Sequence, residues 1–162
     1  MSLKWWWNGF ILKITKRKMK SKTSIPLEIQ HIKEDGYHIF VMITINGQNV
    51  RMLLDTGASR TVFDMETIKM IHTGIEMEAN EDRATGLGTN SVENYIAVVD
   101  IFAIGGLTIK DFQVGILDLS HVNTSYSNID MPSIAGVVGS DLLVKYSAVI
   151  DLRKTMLFLE NI

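Results

Sequence analysis

The sequence of 162 residues contains no cysteine. This absence excludes disulfide bonds, thiolate metal sites and a cysteine nucleophile, although it does not identify a cellular compartment. Long apolar runs are also missing, since none approaches the ~20 residues that a helix needs to cross a bilayer. The four histidines, His31, His38, His72 and His121, lack the spacing of metal ligands. We therefore predict neither a metal site nor a cofactor.

Acidic residues are missing from the first 22 positions, which hold seven of the 16 basic residues. The rest of the chain carries nine basic and 18 acidic side chains, so its net charge is −9, whereas the whole chain has −2. Three consecutive tryptophans, Trp5–Trp7, lie in the basic stretch. We therefore divide the chain into a basic and aromatic N-terminal arm, residues 1–24, and one domain, residues 25–162.

The arm does not have the order of a signal peptide, because most of its positive charge follows its apolar part and no small-residue cleavage site is evident. Three roles stay open for it. It is a flexible or dimer-contacting tail, a segment in weak contact with an anionic membrane, or a contact for nucleic acid, which we do not expect. Since no signal peptide or transmembrane helix is evident, the expected location is cytoplasmic or membrane-peripheral.

Alternating apolar residues predict strands from Ile25 onward. In YHIFVMITI, residues 37–45, every second side chain from Tyr37 to Ile45 is predicted to share one buried face. Asn46-Gly47 follows, and both residues accept the positive φ of a type I′ turn, so a hairpin is predicted. Its return strand, VRMLL, leads directly into Asp55.

The middle of the chain continues this pattern. METIKMI, residues 65–71, predicts a short helix with Asp64 as its N-cap. NYIAVVDIFAI and LTIKDFQVGIL predict two paired strands that are joined by a turn at Gly105-Gly106.

The last third is predicted to begin with a loop, HVNTSYSNIDMPS, residues 121–133. A strand that ends at Gly139 and a short helix around Leu142–Lys145 follow. Two strands, SAVIDL and TMLFLE, close the chain. Strands dominate and only one or two short helices are predicted, so the fold class is mainly β.

The stretch LLDTGASRTVF, residues 53–63, places one carboxylate at the end of a strand. Apolar residues on both sides predict that Asp55 is buried, and a buried carboxylate is unfavourable unless it is hydrogen-bonded or shares a proton. Gly57 leaves room beside the carboxylate for a substrate chain, and the hydroxyls of Thr56 and Ser59 can hold the turn. The alternative is a structural Asx-type turn, in which the aspartate only caps its own backbone.

A second segment, IAGVVGSDLL, favours catalysis over that alternative. The chain contains three motifs in this order: DTGAS at residues 55–59, the Gly-rich Gly86-Leu87-Gly88, and Val137-Val138-Gly139 within the second segment. This arrangement resembles the retropepsin-like aspartic proteases. This single-lobe family includes retroviral proteases and bacterial relatives. The resemblance covers about residues 25–160 and implies a closed, barrel-like acid protease lobe.

Members of that family carry one Asp-Thr-Gly per chain and act as homodimers, and this sequence also contains the motif once. The resemblance therefore implies an aspartic endopeptidase in which Asp55 of each protomer supplies half of a catalytic pair. It implies a peptide or protein substrate, covered by a flap at residues 86–88. The residues implied to support Asp55 are Thr56, Gly57, Ala58 and Ser59.

Two other interpretations stay open: a peptide-binding module of the same fold without turnover, and a generic β-barrel with a structural aspartate turn. The sequence also departs from the retroviral pattern. Ser59 and Arg60 replace frequent acids, and Ser140 replaces a frequent basic residue, so the ion pair that supports retroviral dimers is not expected. Residues predicted to line the groove are Ala58, Val62, Leu87 and Val138.

Overall fold

The computed structural model describes residues 22–32, 36–79 and 94–161, and these residues form a mainly β domain as predicted. Its strands are β1 (Lys22–Ile32), β2 (Gly36–Ile45), β3 (Gln48–Leu54), β4 (Val62–Asp64), β5 (Met77–Ala79), β6 (Tyr95–Ile104), β7 (Leu107–Leu117), β8 (Gly136–Val138), β9 (Val149–Asp151) and β10 (Met156–Glu160). Its helices are α1 (Met65–Ile71), α2 (Ser120–Ser127) and α3 (Ser140–Lys145).

Six of the strands close into a barrel. The strand order is β5-β6-β7-β4-β8-β3-β2-β1-β10-β9, and an additional pairing of β6 with β2 joins the two sides of the six-strand section. The barrel interior is filled by apolar side chains, among which Phe63, Phe102 and Phe112 stack edge to face with centroid distances of 6.5 and 4.9 Å. The core therefore lies inside the barrel, and the strands that lead to Asp55 form part of its wall.

The β2–β3 hairpin has the predicted turn, since Asn46 and Gly47 adopt φ values of 47° and 86°. The predicted buried face of β2 holds only in its second half, where Val41, Ile43 and Ile45 are buried. Tyr37 is exposed instead, because the first half of β2 extends beyond the barrel and pairs with β1.

The first strand connects two parts of the sheet. Its first half, Lys22–Pro26, pairs with β10, and its second half, Leu27–Ile32, pairs with β2. The strand thus begins at Lys22, inside the range that we assigned to the arm. The predicted C-terminal strand pair is present as β9 and β10. Residues 1–21 of the arm lie outside the described residues, so the role of the arm stays a prediction.

Helix α1 begins as predicted. The carboxylate of Asp64 accepts a hydrogen bond of 3.0 Å from the backbone N–H of Thr67. Its other oxygen accepts a bond of 3.1 Å from the N–H of Leu119. One buried N-cap residue therefore holds both the helix and the segment that enters α2.

The loop predicted for residues 121–133 is wrong in its first half, where α2 forms, and the described residues contain three short helices rather than one or two. Intrinsic propensity does not explain α2, because Ser, Asn, Thr and Tyr are indifferent helix formers. Distant contacts stabilise it instead. The buried Tyr126 ring packs on Phe40 at 6.0 Å, and its hydroxyl lies 2.8 Å from His38 Nδ1. The side chain of Asn123 donates to the carbonyl of Ile134 and accepts from its N–H.

No helix in the described part of the chain is both long enough and apolar enough to cross a membrane.

Candidate active site

Asp55 follows the last residue of β3 and begins a tight turn. Its backbone N–H donates to the carbonyl of Val138 at 3.1 Å, which fixes the turn to the end of β8. Its Oδ1 accepts a bond of 2.8 Å from the N–H of Gly57, and its carbonyl accepts one of 3.3 Å from Ala58. The carboxylate is therefore held in one orientation by its own turn, as in the Asx-type alternative.

The predicted burial of Asp55 is wrong for the single chain, in which Asp55, Thr56 and Gly57 are exposed. The buried run ends at Leu54, because the chain leaves the barrel wall there and the turn projects from it. Among the described residues, none donates a hydrogen bond to the second carboxylate oxygen of Asp55. The side chain thus presents one bonded and one open oxygen at the surface.

The two sequence motifs meet at this turn. Strands β3 and β8 run in parallel, with Leu54 beside Val138. Immediately after β8, the N–H of Ser140 donates to the carbonyl of Ala58 at 2.8 Å. A Cβ atom on Gly139 would lie 2.5 Å from the carbonyl carbon of Arg60, so only glycine permits this close approach. The predicted Val137-Val138-Gly139 segment therefore supports the back of the Asp55 turn.

A polar pair that we did not predict, the buried Thr61 and the half-buried Asp141, connects the same two segments. Thr61 is 0% exposed, and its Oγ1 donates to Asp141 Oδ1 at 2.8 Å while it accepts from the N–H of Gly139 at 3.1 Å. The same carboxylate oxygen also accepts the N–H groups of Thr61 and Leu142. Asp141 belongs to the Gly-x-Asp-x-Leu pattern of the sequence, but nothing in that pattern identifies its partner.

Replacing Thr61 by valine, which has nearly the same shape, should lower the free energy of unfolding by about 1–3 kcal/mol, because the buried N–H of Gly139 loses its acceptor. Urea denaturation of the purified variant measures this change. Thr44→Val is the matched control, since the Thr44 hydroxyl donates to Asn49 at an exposed position. The control should change stability by less than about 0.5 kcal/mol. Equal effects of both substitutions would contradict the role of Thr61.

The residues predicted to line the groove differ in their positions in the structure. Ala58 and Val62 are half-buried beside the turn. Val138 is 0% exposed in the core and does not line a groove, because its side chain points into the barrel. Leu87 and the predicted flap, Gly86-Leu87-Gly88, lie outside the described residues. Within the described ranges, no group of three or more histidine, aspartate or glutamate side chains could hold a metal ion.

Comparison with known proteins gives the family. The sequence profile of a family described as aspartyl protease matches residues 41–142, more than half of the chain. The chain belongs to this aspartyl protease family. The matched region of the aspartyl protease begins in β2 and ends in α3. It therefore contains the Asp55 turn and the Gly139 segment that packs behind it. A search of curated proteins gives no match.

Solved structures of low sequence identity resemble this aspartyl protease. A retropepsin-like aspartic protease from Rickettsia conorii aligns with a TM-score of 0.52 and 17% identity, over 87% of this chain and 91% of that chain. EIAV protease complexed with the inhibitor HBY-793 aligns with a TM-score of 0.49 and 21% identity, over 65% and 85% of the two chains. The retroviral protease-like domain of Ddi1 from Leishmania major gives 0.48 and 20%, over 76% and 88%. The Rickettsia structure shows that the fold is the retropepsin-like single lobe.

Proposed function

We propose that the chain is an aspartic endopeptidase that is active as a homodimer and uses Asp55 of both protomers. The observation that carries this proposal is the exposed, oriented carboxylate at the end of β3. The backbone N–H of Asp55 donates to the carbonyl of Val138, and Asp55 Oδ1 accepts from the N–H of Gly57. These two hydrogen bonds define the position of the carboxylate although it is exposed to solvent. An aspartate that served only its own turn would not need the second layer of contacts from Gly139 and Ser140.

The exposure of Asp55 supports a site that is shared between two chains. The sequence contains a single Asp-Thr-Gly, so one chain offers half of the pair that the reaction needs. A two-fold axis that passes beside the turn would bring the second Asp55 to the first and would cover both from solvent. The carboxylate that is exposed in one chain is then enclosed in the dimer.

The mechanism that we propose follows from the proximity of two carboxylates. Two carboxyl groups a few ångströms apart do not both ionise, because their negative charges repel each other. The pair therefore shares one proton and titrates as a unit. The ionised Asp55 removes a proton from a water molecule, which attacks the peptide carbonyl. The protonated Asp55 of the other chain donates its proton to the carbonyl oxygen as the tetrahedral intermediate forms. Residues 86–88 are proposed as the flap that closes over the substrate.

A mixed library of unstructured peptides tests this proposal, with product formation followed by mass spectrometry between pH 3 and pH 9. We expect cleavage with a maximum at mildly acidic pH, where the pair holds one proton. We also expect inhibition by a peptide whose scissile bond is replaced by a hydroxyl-bearing tetrahedral carbon, which imitates the intermediate. A rate that rises steadily to pH 9 would indicate a different base. Tight binding of peptides without any cleavage would support the alternative, a non-catalytic peptide-binding module.

The arm is proposed to make a weak contact with anionic membrane. Deleting residues 1–21 keeps Lys22, which pairs with Glu160 across β1 and β10, so the domain should stay folded. We expect the truncated protein to cleave peptides normally and to lose binding to anionic liposomes, because each lysine near such a surface contributes about 1 kcal/mol. Liposome co-sedimentation at low and high salt measures the effect. A loss of activity together with a shift to monomer would instead identify the arm as a dimer contact.

A further inference from the structure

Arg60 lies in the same turn as Asp55, and its positive charge is unpaired. Its side chain is exposed, and within the described part of the chain its guanidinium makes no ion pair. Arg51 differs, since it binds both carboxylate oxygens of Glu28, at 3.1 and 2.8 Å. After residue 22, acidic side chains outnumber basic ones by 18 to nine, so most cations have a carboxylate to bind. Arg60 therefore keeps its N–H donors available for a ligand.

The backbone of Arg60 is fixed beside that of Asp55. The N–H of Asp55 donates to the carbonyl of Val138 at 3.1 Å. The next residue, Gly139, packs so closely on Arg60 that a Cβ atom on it would lie 2.5 Å from the Arg60 carbonyl carbon. Since consecutive Cα atoms are about 3.8 Å apart, the two ends of the turn contact neighbouring positions of one segment. A molecule bound at the Asp55 carboxylate therefore also lies near Arg60.

The side chain of Arg60 runs along the sheet. A Cβ atom on Gly115 would lie 3.8 Å from Arg60 Cδ and 2.9 Å from Val62 Cγ1, so the glycine leaves room for the arginine stem. Gly115 pairs with Val62 on β4 and with Ile96 on β6, and paired residues share one face of a sheet. Val62 and Ile96 are half-buried. We call Val62, Gly115 and Ile96 the Gly115 row, an apolar strip that begins beside Arg60.

An opposite charge stands at the far end of the Gly115 row. Glu78 on β5 is exposed and pairs with Ile96. Strand β5 lies three strand spacings from β4, which corresponds to about 14 Å. This distance exceeds the screening length of roughly 8 Å at physiological ionic strength, so Glu78 does not compensate the charge of Arg60. A peptide that lies across the row meets a positive charge beside Asp55 and a negative charge far from it.

We propose that Arg60 is a specificity-determining residue, which binds the carboxylate of an aspartate or glutamate side chain of the substrate near the scissile bond. The inference rests on the proposed function and names its substrate class, acidic peptides. A guanidinium offers paired N–H donors that match the two oxygens of a carboxylate. An extended peptide advances by about 3.3 Å per residue, so the acidic side chain lies within about four positions of the scissile bond. In a two-fold dimer, one Arg60 lies on each side of that bond.

Pairs of peptides that differ only in one glutamate or glutamine test this role. The exchanged position lies within about four residues of the scissile bond, and kcat/KM is measured at low salt and about pH 5.5, where a glutamate side chain is ionised. At the best position, we expect wild type to favour the glutamate peptide by about fivefold. The ratio should fall to about one for Arg60→Gln, stay clearly above one for Arg60→Lys, and fall below one for Arg60→Glu.

Lys110→Gln is the matched control, because it also removes one positive charge. Lys110 is exposed on β7, five residues from Gly115, and within the described residues it makes no ion pair. This variant should keep the wild-type ratio. The inference is overturned if wild type cleaves both members of every pair at rates within about twofold, or if Arg60→Gln keeps the wild-type ratio. An unchanged ratio together with a raised dimer dissociation constant would identify Arg60 as a subunit contact instead.

A binding measurement separates this inference from the proposed function. Labelled peptide pairs are titrated with Asp55→Asn protein, which should not turn them over, and fluorescence anisotropy gives the dissociation constants. The glutamate peptide should bind about fivefold more tightly than the glutamine peptide, and adding Arg60→Gln should remove the difference. Equal affinities in the Asp55→Asn protein would overturn the role of Arg60. A wild type that cleaves no peptide, combined with an Arg60-dependent difference in affinity, would refute the protease and support the role of Arg60.

Discussion

The Asp55→Asn protein should fold normally and should cleave peptides roughly 10⁴-fold more slowly than wild type, or not at all, since acid and base catalysis are removed together. An asparagine neither removes a proton from water nor shares one with its partner. The fold should persist, because the amide oxygen still accepts the hydrogen bond that Gly57 donates to Asp55 Oδ1. Single-turnover cleavage of the best library peptide, with the melting temperature measured in parallel, gives the result.

Asp118→Asn is the control for this substitution. Asp118 is also exposed after a strand, and its Oδ1 accepts a bond of 2.9 Å from the N–H of Ser120, two residues further along the chain. This bond and the Ser120 hydroxyl lower the pKa of Asp118. The two turns are thus similar, and only one is expected to be catalytic. Normal activity of Asp118→Asn supports the assignment, whereas near-normal activity of Asp55→Asn would refute the protease.

Dilution should have the second large effect. Since only an associated pair of chains has two carboxylates, the activity per chain should fall once the total concentration drops below the dimer dissociation constant, and it should approach zero at about a hundredfold lower concentration. Cleavage rates and sedimentation profiles recorded over the same concentration range should follow one binding curve. Activity that is independent of concentration, from a species that sediments as a monomer, is incompatible with a shared site.

The features that the sequence predicts well are set by neighbouring residues. The turn at Asn46-Gly47 depends on two residues that accept positive φ, and α1 depends on the Asp64 side chain three residues from Thr67. Helix α2 was missed because its stability comes from contacts far away along the chain. Tyr126 packs against Phe40, and the amide of Asn123 pairs with the backbone of Ile134.

In the candidate site, too, features set by neighbouring residues were predicted, and features set by contacts between distant parts of the chain were not. The motif containing Asp55 and the glycine motif at Gly139 were found from local patterns, and the structure brings them together. The hydrogen bonds from Thr61 to Asp141 join residues that are 80 positions apart, so no local pattern predicts them. The burial of Asp55 was predicted wrongly for one chain because apolar neighbours do not reveal where a strand leaves the barrel.

The shared site is tested most directly by mixing wild-type chains at constant concentration with increasing amounts of Asp55→Asn chains, at a total concentration where all chains are dimeric. After subunit exchange, each wild-type chain pairs at random, and a dimer with one asparagine lacks half of the catalytic pair. The account predicts that activity falls in proportion to the wild-type fraction, so that a roughly ninefold excess of variant leaves about one tenth of the activity. Activity that does not change with added variant, under conditions where sedimentation of labelled chains confirms exchange, would contradict a catalytic pair formed from two Asp55 residues.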